Sequence, residues 1–589
     1  MADIRMILVV DLTAGESYVE EFDAAGTLGL GGKVLGVRLL EKHLDLEADP
    51  LSRANVIVIT PSLLAAYNMH GSNRFGAFTR SPLTGIWLEC YCGGTFARTL
   101  TETRWDGLII KGAADAPVHV HVTAEGAEIR PASDLWGKDT LATEDEVLSR
   151  LDGRSAVLCI GVGGENLVKI ASVMHERAHS LGRGGLGAVF GSKRLKALSV
   201  SSSGPLRSSA EDHFAEQRRA VGNYAKESPA TRNYILYGTP VMVRIVNDAG
   251  AFPTDFFEEG EVPHRATLEA EHWPEWARIE SDSCPPCQLR CRKRLIVIDG
   301  PHKGLEIHGA EYETLYTFGG SCMVEHALNV ARLNERCNLL GMDSISAGNL
   351  AAIAIKARQA GRLAEGPKPG DTEALLDILE QIATRSTAAG DTLADGMDRA
   401  LAAFGMSDRT ITSKGLDPAG YEPRRLKGMA LAYALSPRGA CHLRATFYKA
   451  ELGGLLKDLD DETYVATYID WENRMLLMDS FTMCRFYRDL LFWEFYESAA
   501  AQLKGEPVTE KELESLCDET LARIRKLNLA FGMTPSADTI AERFFTESTD
   551  KAPPVDRAEL ERRVRLYWIK RGWTETGIPN GARQPAAGR

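Results

Sequence analysis

Short apolar runs separated by turn residues fill roughly the first two hundred positions of the chain, and this pattern predicts strands. The β-branched runs that carry it are Ile7–Asp11, Ala54–Thr60, Trp105–Gly112 and Val118–Val122. One helix is predicted after Gly31-Gly32-Lys33, because the apolar residues that follow fall on one helical face. Those residues are Val34, Leu35, Val37, Leu39 and Leu40.

Past Ser201–Pro205, the clearest boundary in the chain, apolar positions recur with a period near 3.6, which predicts helices. The ranges with this period include 323–340, 346–361, 373–384 and 462–503. Irregular stretches at 362–371 and 405–425 divide the helical part. We therefore predict an α+β fold, with a β-rich N-terminal domain over 1–205 and two mainly α-helical domains over 206–415 and 416–589. The end rich in Pro, Gly and Ala after Trp573 is expected to be mobile.

Composition narrows the class of protein. A chain of 589 residues with 44% hydrophobic residues is expected to form two to four structural units. Its net charge of −13 argues against a general nucleic-acid binder, and no apolar stretch of about 18 residues predicts a membrane span. Eleven cysteines without a secretory leader favour reduced thiols in a cytoplasmic, anaerobic setting.

Three of these cysteines, Cys284, Cys287 and Cys291, form a Cys-x2-Cys-x3-Cys motif. Such a triplet faces one point from a single turn and the start of a helix, and a remote cysteine, with Cys484 as the candidate, completes four thiolates for a [4Fe–4S] cluster. A Cys-x2-Cys pair is also half of a zinc site, although no second such pair occurs in the chain. Iron–sulfur, zinc and purely structural thiols all remain open on spacing alone.

Three glycine-rich loops lie between the predicted strands, at Gly71–Gly76, Gly161–Asn166 and Leu181–Lys193. Glycines allow a backbone to approach a ligand closely, and successive N–H groups bind anions. None of the loops has the spacing of a Walker loop or of a dinucleotide fingerprint. A single loop of this kind is usually only a turn, but three of them with Asn, Arg or Glu favour a large polyanionic cofactor.

Candidate proton-handling residues follow in the helical part. Glu313 precedes an apolar run, and His442 ends the segment Ser436–His442; a carboxylate and a histidine near a buried cofactor can act as acid and base. Taken singly, each is more often a cap or a satisfied buried polar group. The segments Asn338–Asp343 and Asp479–Cys484 share one spacing, which suggests two equivalent loops for two copies of a ligand.

Taken together, these motifs resemble the aldehyde ferredoxin oxidoreductase family, tungsten enzymes with a bis-pyranopterin cofactor and a [4Fe–4S] cluster. The resemblance runs almost from end to end. The motifs that carry it are Gly31–Lys33, Asn73-Arg74, Ser81–Gly85, Gly93-Gly94, Gly164–Asn166, Gly182–Lys193, Glu311–Glu313, Gly341–Ser346, Arg438–His442 and Arg571–Trp573.

The resemblance implies a role for each matching residue. The cluster ligands would be Cys284, Cys287, Cys291 and Cys484. The residues around the pterins, whose phosphates Mg would bridge, would be Asn73, Arg74, Gly93, Gly94, Glu165, Asn166, Arg183, Gly184, Asn338, Asp343 and Asp479. Glu313 and His442 would handle protons beside the metal. The implied fold is a β-rich domain on which the pterins rest, covered by two mainly helical domains.

The implied reaction is oxidation of an aldehyde to a carboxylate, with water as oxygen source and electrons leaving through the cluster. The implied partners are ferredoxin or an iron–sulfur subunit, in a homodimer or hetero-oligomer, and molybdenum could replace tungsten because both share ligands. The alternative is a subunit like that of benzoyl-CoA reductase, reducing an aromatic acyl-CoA; a zinc-bound scaffold is a third class. Three features depart from the family: Asn338 replaces the usual Asp, Cys90 and Cys92 flank the cofactor rim as interior thiols, and Cys322 falls where some members have a thiol able to bind tungsten.

Overall fold

The computed structural model of the protein describes residues 3–204 and 214–581. The chain begins with a six-stranded sheet of order β2-β1-β6-β3-β4-β5, in which only β1 and β6 run parallel. Its strands are β1 (Ile4–Asp11), β2 (Glu16–Asp23), β3 (Ile57–Thr60), β4 (Phe75–Arg80), β5 (Trp87–Cys92) and β6 (Gly107–Lys111).

A second six-stranded sheet of order β11-β10-β9-β12-β7-β8 follows. Its strands are β7 (Val118–Thr123), β8 (Gly126–Pro131), β9 (Arg154–Cys159), β10 (Val173–His175), β11 (His179–Leu181) and β12 (Leu195–Ser202). The two sheets share one apolar core, to which Leu8 and Ile59 contribute from the first sheet and Val120 and Leu198 from the second. The predicted β-rich N-terminal region is therefore confirmed, and all four predicted apolar runs contain strands.

Helices connect the strands of these sheets. They are α1 (Gly32–His43), α2 (Phe96–Glu102), α3 (Thr140–Ser149), α4 (Val162–Glu165) and α5 (Leu186–Ser192). The helix predicted after Lys33 is α1, and its five apolar residues are buried as expected. The second and third glycine-rich loops are only partly loops, since α4 and α5 form within them: the apolar run after Gly185 packs into the inter-sheet core, and burial stabilises helix there despite the glycines.

The rest of the described chain is mainly helical, which confirms the α+β prediction. Its helices are α6 (Ala215–Glu227), α7 (Pro229–Tyr237), α8 (Met242–Asp248), α9 (Arg265–Leu268), α10 (Tyr312–Thr314), α11 (Ala327–Leu340), α12 (Ser344–Gln359), α13 (Thr372–Thr384), α14 (Ala388–Ala394), α15 (Met397–Ala403), α16 (Lys427–Leu435), α17 (Tyr448–Leu452), α18 (Asp461–Ser480), α19 (Trp493–Lys504), α20 (Glu510–Ala530), α21 (Arg543–Thr546) and α22 (Arg557–Lys570). Single 3-10 turns occur at Leu63–Tyr67, Thr239–Val241, Ala270–Glu275, Ser407–Arg409, Arg485–Tyr487 and Pro535–Ala537, and a π-helical segment spans Leu315–Ser321.

Two local predictions in this part are wrong. The range 462–503 is not one helix: α18 ends at Ser480, and the break before α19 contains Cys484. The Cys284–Cys291 segment does not start a helix, because it is the loop of a hairpin between β13 (Ala277–Asp282) and β14 (Arg292–Val297), to which β15 (Glu306–His308) adds a third strand. The alternating apolar residues of β14 bury one face of this small sheet, so strand pairing prevails.

Other predicted features lie partly outside the described residues. Pro205, the last residue of the predicted boundary, lies outside the described residues, and so does 582–589, the second half of the end predicted to be mobile. The stretches 362–371 and 405–425 are irregular, as predicted. Within residues 3–204 and 214–581, no helix is both long and apolar enough to cross a membrane.

Candidate functional site

One cavity of about 440 Å³ lies where the two sheets meet the helical part. All four cysteines predicted as cluster ligands line it. Cys284, Cys287 and Cys291 reach it from the β13–β14 hairpin loop, and Cys484 reaches it from the α18–α19 break, where its N–H donates to the Gly71 carbonyl at 2.8 Å. The fold thus brings together thiols that are about two hundred positions apart in sequence.

Donors surround the sulfurs of this loop. The Gly94 N–H lies 3.2 Å from the Cys284 Sγ, and the Leu289 N–H lies 3.4 Å from the Cys287 Sγ. The Tyr487 hydroxyl also lies 3.4 Å from the Cys287 Sγ. Hydrogen bonds of this kind stabilise thiolate over thiol, which is the form that binds metal.

Burial raises the pKa of Cys284 and raises that of Cys287 to about 11, so these thiols release protons when they bind a metal group. In the described part of the chain, no three His, Cys, Asp or Glu side chains are grouped as ligands of a single metal ion. All eleven cysteines are free, and Cys90 and Cys92 are buried thiols as expected.

Arg74 and Asn73 connect β4 to the thiol loop. Arg74 is held against the sheet by donating to the Tyr91 carbonyl at 2.8 Å. Burial opposes its charge, but the neighbouring thiols of Cys484, Cys92 and Cys284 raise its pKa. Asn73 donates to the Pro285 carbonyl at 2.8 Å and so fixes the position of the hairpin loop.

The first of the two related loops follows α11. Asp343 caps α12 by accepting from the N–H groups of Ile345 and Ser346, and its Oδ2 pairs with the Arg183 Nε at 3.2 Å. Arg183 also pairs with Asp417 at 3.0 Å. Asn338, in the last turn of α11, lines the same cavity.

The second loop follows α18 and holds a buried ionic network. Asp479 pairs with Arg444 at 2.8 Å and with Arg485 at 2.7 Å. Arg444 also pairs with Glu89 of β5 at 2.8 Å, and the other Glu89 oxygen lies 3.0 Å from the Lys33 Nζ. Each of the two loops therefore offers a carboxylate bound to arginine, Asp343 at the end of the first segment and Asp479 at the start of the second.

Glu313 and His442 face each other across the cavity, with 3.5 Å between the Glu313 Oε1 and the His442 Nε2. The other Glu313 oxygen accepts from the Gly420 N–H at 2.8 Å. Burial raises the pKa of Glu313 to about 8 despite the opposing effects of that N–H and of Arg183. Burial, followed by the charges of Arg183, Arg438 and other arginines, lowers the pKa of His442 well below its usual value.

The site has the polar groups that a large anionic cofactor needs. Several buried polar atoms of cavity-lining residues have no hydrogen-bond partner within the described residues: Glu313 Oε1, His442 Nδ1, Arg438 Nε and Arg444 Nε. Unpartnered buried donors and acceptors are costly, so their grouping indicates a bound polar group. The residues present fit the predicted cofactors, since phosphates and pterin rings would supply matching acceptors and donors and the four thiols could serve as ligands of iron.

Five of the candidate residues do not line the cavity: Gly94, Glu165, Asn166, Gly184 and Cys322. Glu165 pairs with Lys196, Asn166 donates to the Ala383 carbonyl at 2.9 Å, and Cys322 donates to the Gly348 carbonyl at 3.2 Å inside the helical core. At Gly184, with φ +93, a β-carbon would meet the Leu88 side chain at 2.4 Å, so this glycine allows close packing against β5. The side chains of Glu165, Asn166 and Cys322 therefore have partners within the protein and not in the cavity.

Sequence analysis did not select several cavity residues. Arg438, Arg444, Arg485 and Arg488 all line the cavity, as do Tyr421 and Tyr448. Arg438 belongs to the motif Arg438–His442, but no local motif distinguishes the others, although the density of arginines on both sides of Cys484 and around His442 was a usable signal.

Family models match nearly the whole chain. Residues 7–202 match the model described as aldehyde ferredoxin oxidoreductase, N-terminal domain, and residues 216–584 match the one described as domains 2 and 3 of the same protein.

Curated relatives and a solved structure agree with these matches. The chain is 30% identical to the tungsten-containing aldehyde ferredoxin oxidoreductase of Pyrococcus furiosus, over 96% of each chain. It is 31% identical to that of Thermococcus kodakarensis, over 97% of this chain and 96% of the other. The active-site complex of benzoyl coenzyme A reductase with 1,5-dienoyl-CoA shares the fold, with a TM-score of 0.79 at 21% identity over 98% of this chain and 95% of that one.

Proposed function

The chain belongs to the aldehyde ferredoxin oxidoreductase family, and from this premise we propose that it oxidises an aldehyde to a carboxylate with water as the oxygen source. The reaction converts aldehyde and water into carboxylate, three protons and two electrons. The observation that carries the proposal is that the Glu313–His442 pair and the four thiols line one cavity. Proton handling and electron removal are thereby brought to a single site.

The cofactor of the proposal is a tungsten bis-pyranopterin, with molybdenum as the metal that the same ligands accept, and Mg between the pterin phosphates. When bound, this group accepts both electrons and polarises the aldehyde carbonyl. Arg183 and Asp343 would hold one pterin, with Asn338 beside them. Asp479, with its two arginines, would hold the other.

Glu313 is the proposed general base. With a pKa of about 8 it is a stronger base than an ordinary carboxylate, and about a tenth of it is ionised at pH 7. His442 stays neutral because its pKa is depressed, so its imidazole accepts a hydrogen bond from Glu313 or water without adding charge. The pair removes the proton of the attacking water and orients that water toward the carbonyl.

We propose that a [4Fe–4S] cluster would be held by four cysteines, Cys284, Cys287, Cys291 and Cys484. Arg74, which lies on the same cavity and interacts electrostatically with Cys484 and Cys284, would stabilise the electrons that pass between pterin and cluster. The bound cluster would pass electrons on to ferredoxin or to an iron–sulfur partner subunit.

Elemental analysis and EPR of anaerobically prepared protein, followed by a substrate screen, test the proposal. We expect iron with tungsten or molybdenum, and dye reduction that depends on aldehydes. Reaction with aromatic CoA thioesters and a low-potential reductant, but not with aldehydes, would instead indicate an activity like that named for the benzoyl coenzyme A reductase complex. Zinc without iron, tungsten or molybdenum would exclude the enzyme proposal.

A further inference from the structure

Five deeply buried arginines and the half-buried Arg74 line the cavity, and the anionic groups around all of these six except Arg488 can be named. Arg183 pairs with Asp343 and Asp417, and Arg444 and Arg485 pair with Asp479. Arg438 and Arg74 lie near sulfur instead. Arg438 is 3.1 Å from the Cys441 Sγ, and Arg74 interacts electrostatically with the thiols of the candidate cluster site.

Arg488 differs from the other five. Arg488 is 2% exposed and lines the cavity. In the described part of the chain, no carboxylate lies within ion-pair distance of its guanidinium. It donates to the Arg485 carbonyl at 2.7 Å and to the Tyr234 hydroxyl at 3.2 Å, while its Nε has no partner among the described residues. The adjacent Asp489 carboxylate pairs with the Lys449 Nζ at 3.7 Å and acts on Arg488 only from beyond ion-pair distance.

A buried cation without a counter-ion is strongly unfavourable, and it persists in proteins mainly where a ligand supplies the anion. Arg488 interacts electrostatically with Tyr448, and the Tyr448 ring centroid lies 6.4 Å from that of His442, so Arg488 borders the part of the cavity that holds the Glu313–His442 pair. It is not in contact with Asp343 or Asp479, the carboxylates of the two pterin loops. The missing anion is therefore expected on the substrate rather than on the cofactor.

Aromatic rings form the wall between Arg488 and His442. Tyr421 and Tyr448 stack with their centroids 4.0 Å apart, and the Tyr421 ring lies 5.8 Å from that of His442. On the other side, Tyr234 stacks on Phe486 at 4.5 Å. Aromatic walls of this kind suit a substrate with a flat or extended apolar part, one end of which lies at the Glu313–His442 pair and the other at the Arg488 guanidinium.

We propose that Arg488 binds a carboxylate on the substrate, so that the preferred substrate is an aldehyde that carries an anionic group at its far end. This inference rests on the proposed aldehyde oxidation and assigns its substrate class. A guanidinium binds a carboxylate through two parallel N–H groups, and the unpartnered Nε is available for one of them. A neutral aldehyde of the same size would leave the cation unpaired.

The kinetic test compares neutral and carboxylated aldehydes of matched size with the purified holoenzyme. The pairs are benzaldehyde with 4-carboxybenzaldehyde and butanal with 4-oxobutanoate, which cover two shapes. We expect kcat/KM for the charged member of at least one pair to exceed that of the neutral member by about tenfold or more. In Arg488→Gln this ratio should fall by about tenfold or more, mainly through KM, and Arg488→Lys should restore part of it.

The matched control is Arg278→Gln, since the Arg278 side chain is 65% exposed and lies outside the cavity lining. In this variant the ratio of kcat/KM for the charged aldehyde to that for the neutral aldehyde should stay unchanged for both pairs. An unchanged ratio in Arg488→Gln would overturn the proposal. So would loss of tungsten or molybdenum and of pterin in that variant, because Arg488 would then hold the cofactor.

A binding measurement separates this inference from the proposed function. Calorimetric titration of the holoenzyme with terephthalate and with succinate, the dicarboxylate products of the two charged aldehydes, requires no turnover. Binding by the wild type that Arg488→Gln loses supports the anion site, even if no aldehyde is oxidised and the proposed reaction fails. The inference is overturned if the wild type and the variant bind both dicarboxylates equally well, or if neither protein binds them. This holds whether or not the enzyme oxidises aldehydes.

Discussion

Gly93 lies so close to Cys284 that a β-carbon on it would be 2.9 Å from the Cys284 Sγ. The next residue, Gly94, donates its N–H to the same sulfur at 3.2 Å. The end of β5 therefore contacts the hairpin loop through backbone alone. This contact fixes one candidate cluster ligand against the β-rich domain, where the pterins are proposed to rest.

Gly93→Ala is expected to displace Cys284 and to lower the iron content of the purified protein. The reason is steric, because the new methyl group overlaps a sulfur that other donors already hold in place. Iron analysis and the EPR signal of the reduced cluster provide the measurement. Gly31→Ala is the matched control, since the nearest atom to its β-carbon is Leu63 Cγ at 3.4 Å, an ordinary contact. Full iron content in Gly93→Ala would contradict the prediction.

Cys484→Ser should remove the cluster signal, because a hydroxyl does not replace the fourth thiolate. Cys322→Ser is the comparison: this side chain donates to the Gly348 carbonyl within the core, and a serine hydroxyl can make the same hydrogen bond. We expect wild-type iron and tungsten contents in Cys322→Ser. Tungsten loss in that variant would show that Cys322 binds the metal after all, and a normal cluster in Cys484→Ser would exclude Cys484 as a ligand.

Glu313→Gln should lower kcat by about 10²- to 10⁴-fold while leaving iron and tungsten contents unchanged. Because a base acts in its ionised form, the wild-type kcat/KM should rise with pH and level off above a pKa of about 8. This step in the pH profile should be absent from the residual activity of Glu313→Gln.

Glu451→Gln is the control for that measurement. Burial also raises the pKa of Glu451, to about 7, yet this carboxylate accepts from the N–H groups of Lys427 and Gly428 outside the cavity lining. Its rate and pH profile should match the wild type. A pH profile without the step near 8 in the wild type would refute the assignment of Glu313 as base.

Glu89→Gln should destabilise the protein by about 3–5 kcal/mol, because it leaves Lys33 as an unpaired buried cation and removes one of the two carboxylates that pair with Arg444. Burial tends to raise the pKa of Glu89, but Arg444 and Lys33 hold it well below the ordinary value of 4.5. A depressed pKa in the folded state stabilises the fold above the unfolded-state value, and this contribution is lost as the pH falls below 4.5 toward the folded value.

Denaturant unfolding of wild type and Glu89→Gln between pH 7 and pH 3 measures this difference. The difference in unfolding free energy between the wild type and Glu89→Gln should become smaller as the pH falls. Glu128→Gln serves as control, since the Glu128 side chain is 65% exposed and its loss should change the unfolding free energy by about 0.5 kcal/mol or less. If the difference in unfolding free energy is the same at every pH, the ion pairs of Glu89 do not cause the loss of stability.

The sequence predicted elements well where one periodicity covered a whole segment. The five apolar positions of α1 and the runs of β1 and β3 required no knowledge of distant residues. It failed where distant contacts decide local structure. The Cys284–Cys291 loop was expected to lead into a helix, but β14 pairs with β13 and β15 and draws the loop into a hairpin.

For the site, the sequence supplied residue types and spacing: the cysteine triplet, the two related loops, and Glu313 and His442 as single candidates. Their assembly in one cavity, the 3.5 Å approach of Glu313 to His442, and the separation of Cys322 and Glu165 from that cavity depended on tertiary structure. The arginines near Cys484 could be noticed in the sequence, but Arg488 could not be told apart from the others, because its burial and its unpartnered Nε are known only from the structure. Periodicity and spacing are local and can be read along the chain, whereas charge balance in a buried site is set by residues that only the fold brings within a few ångströms of one another.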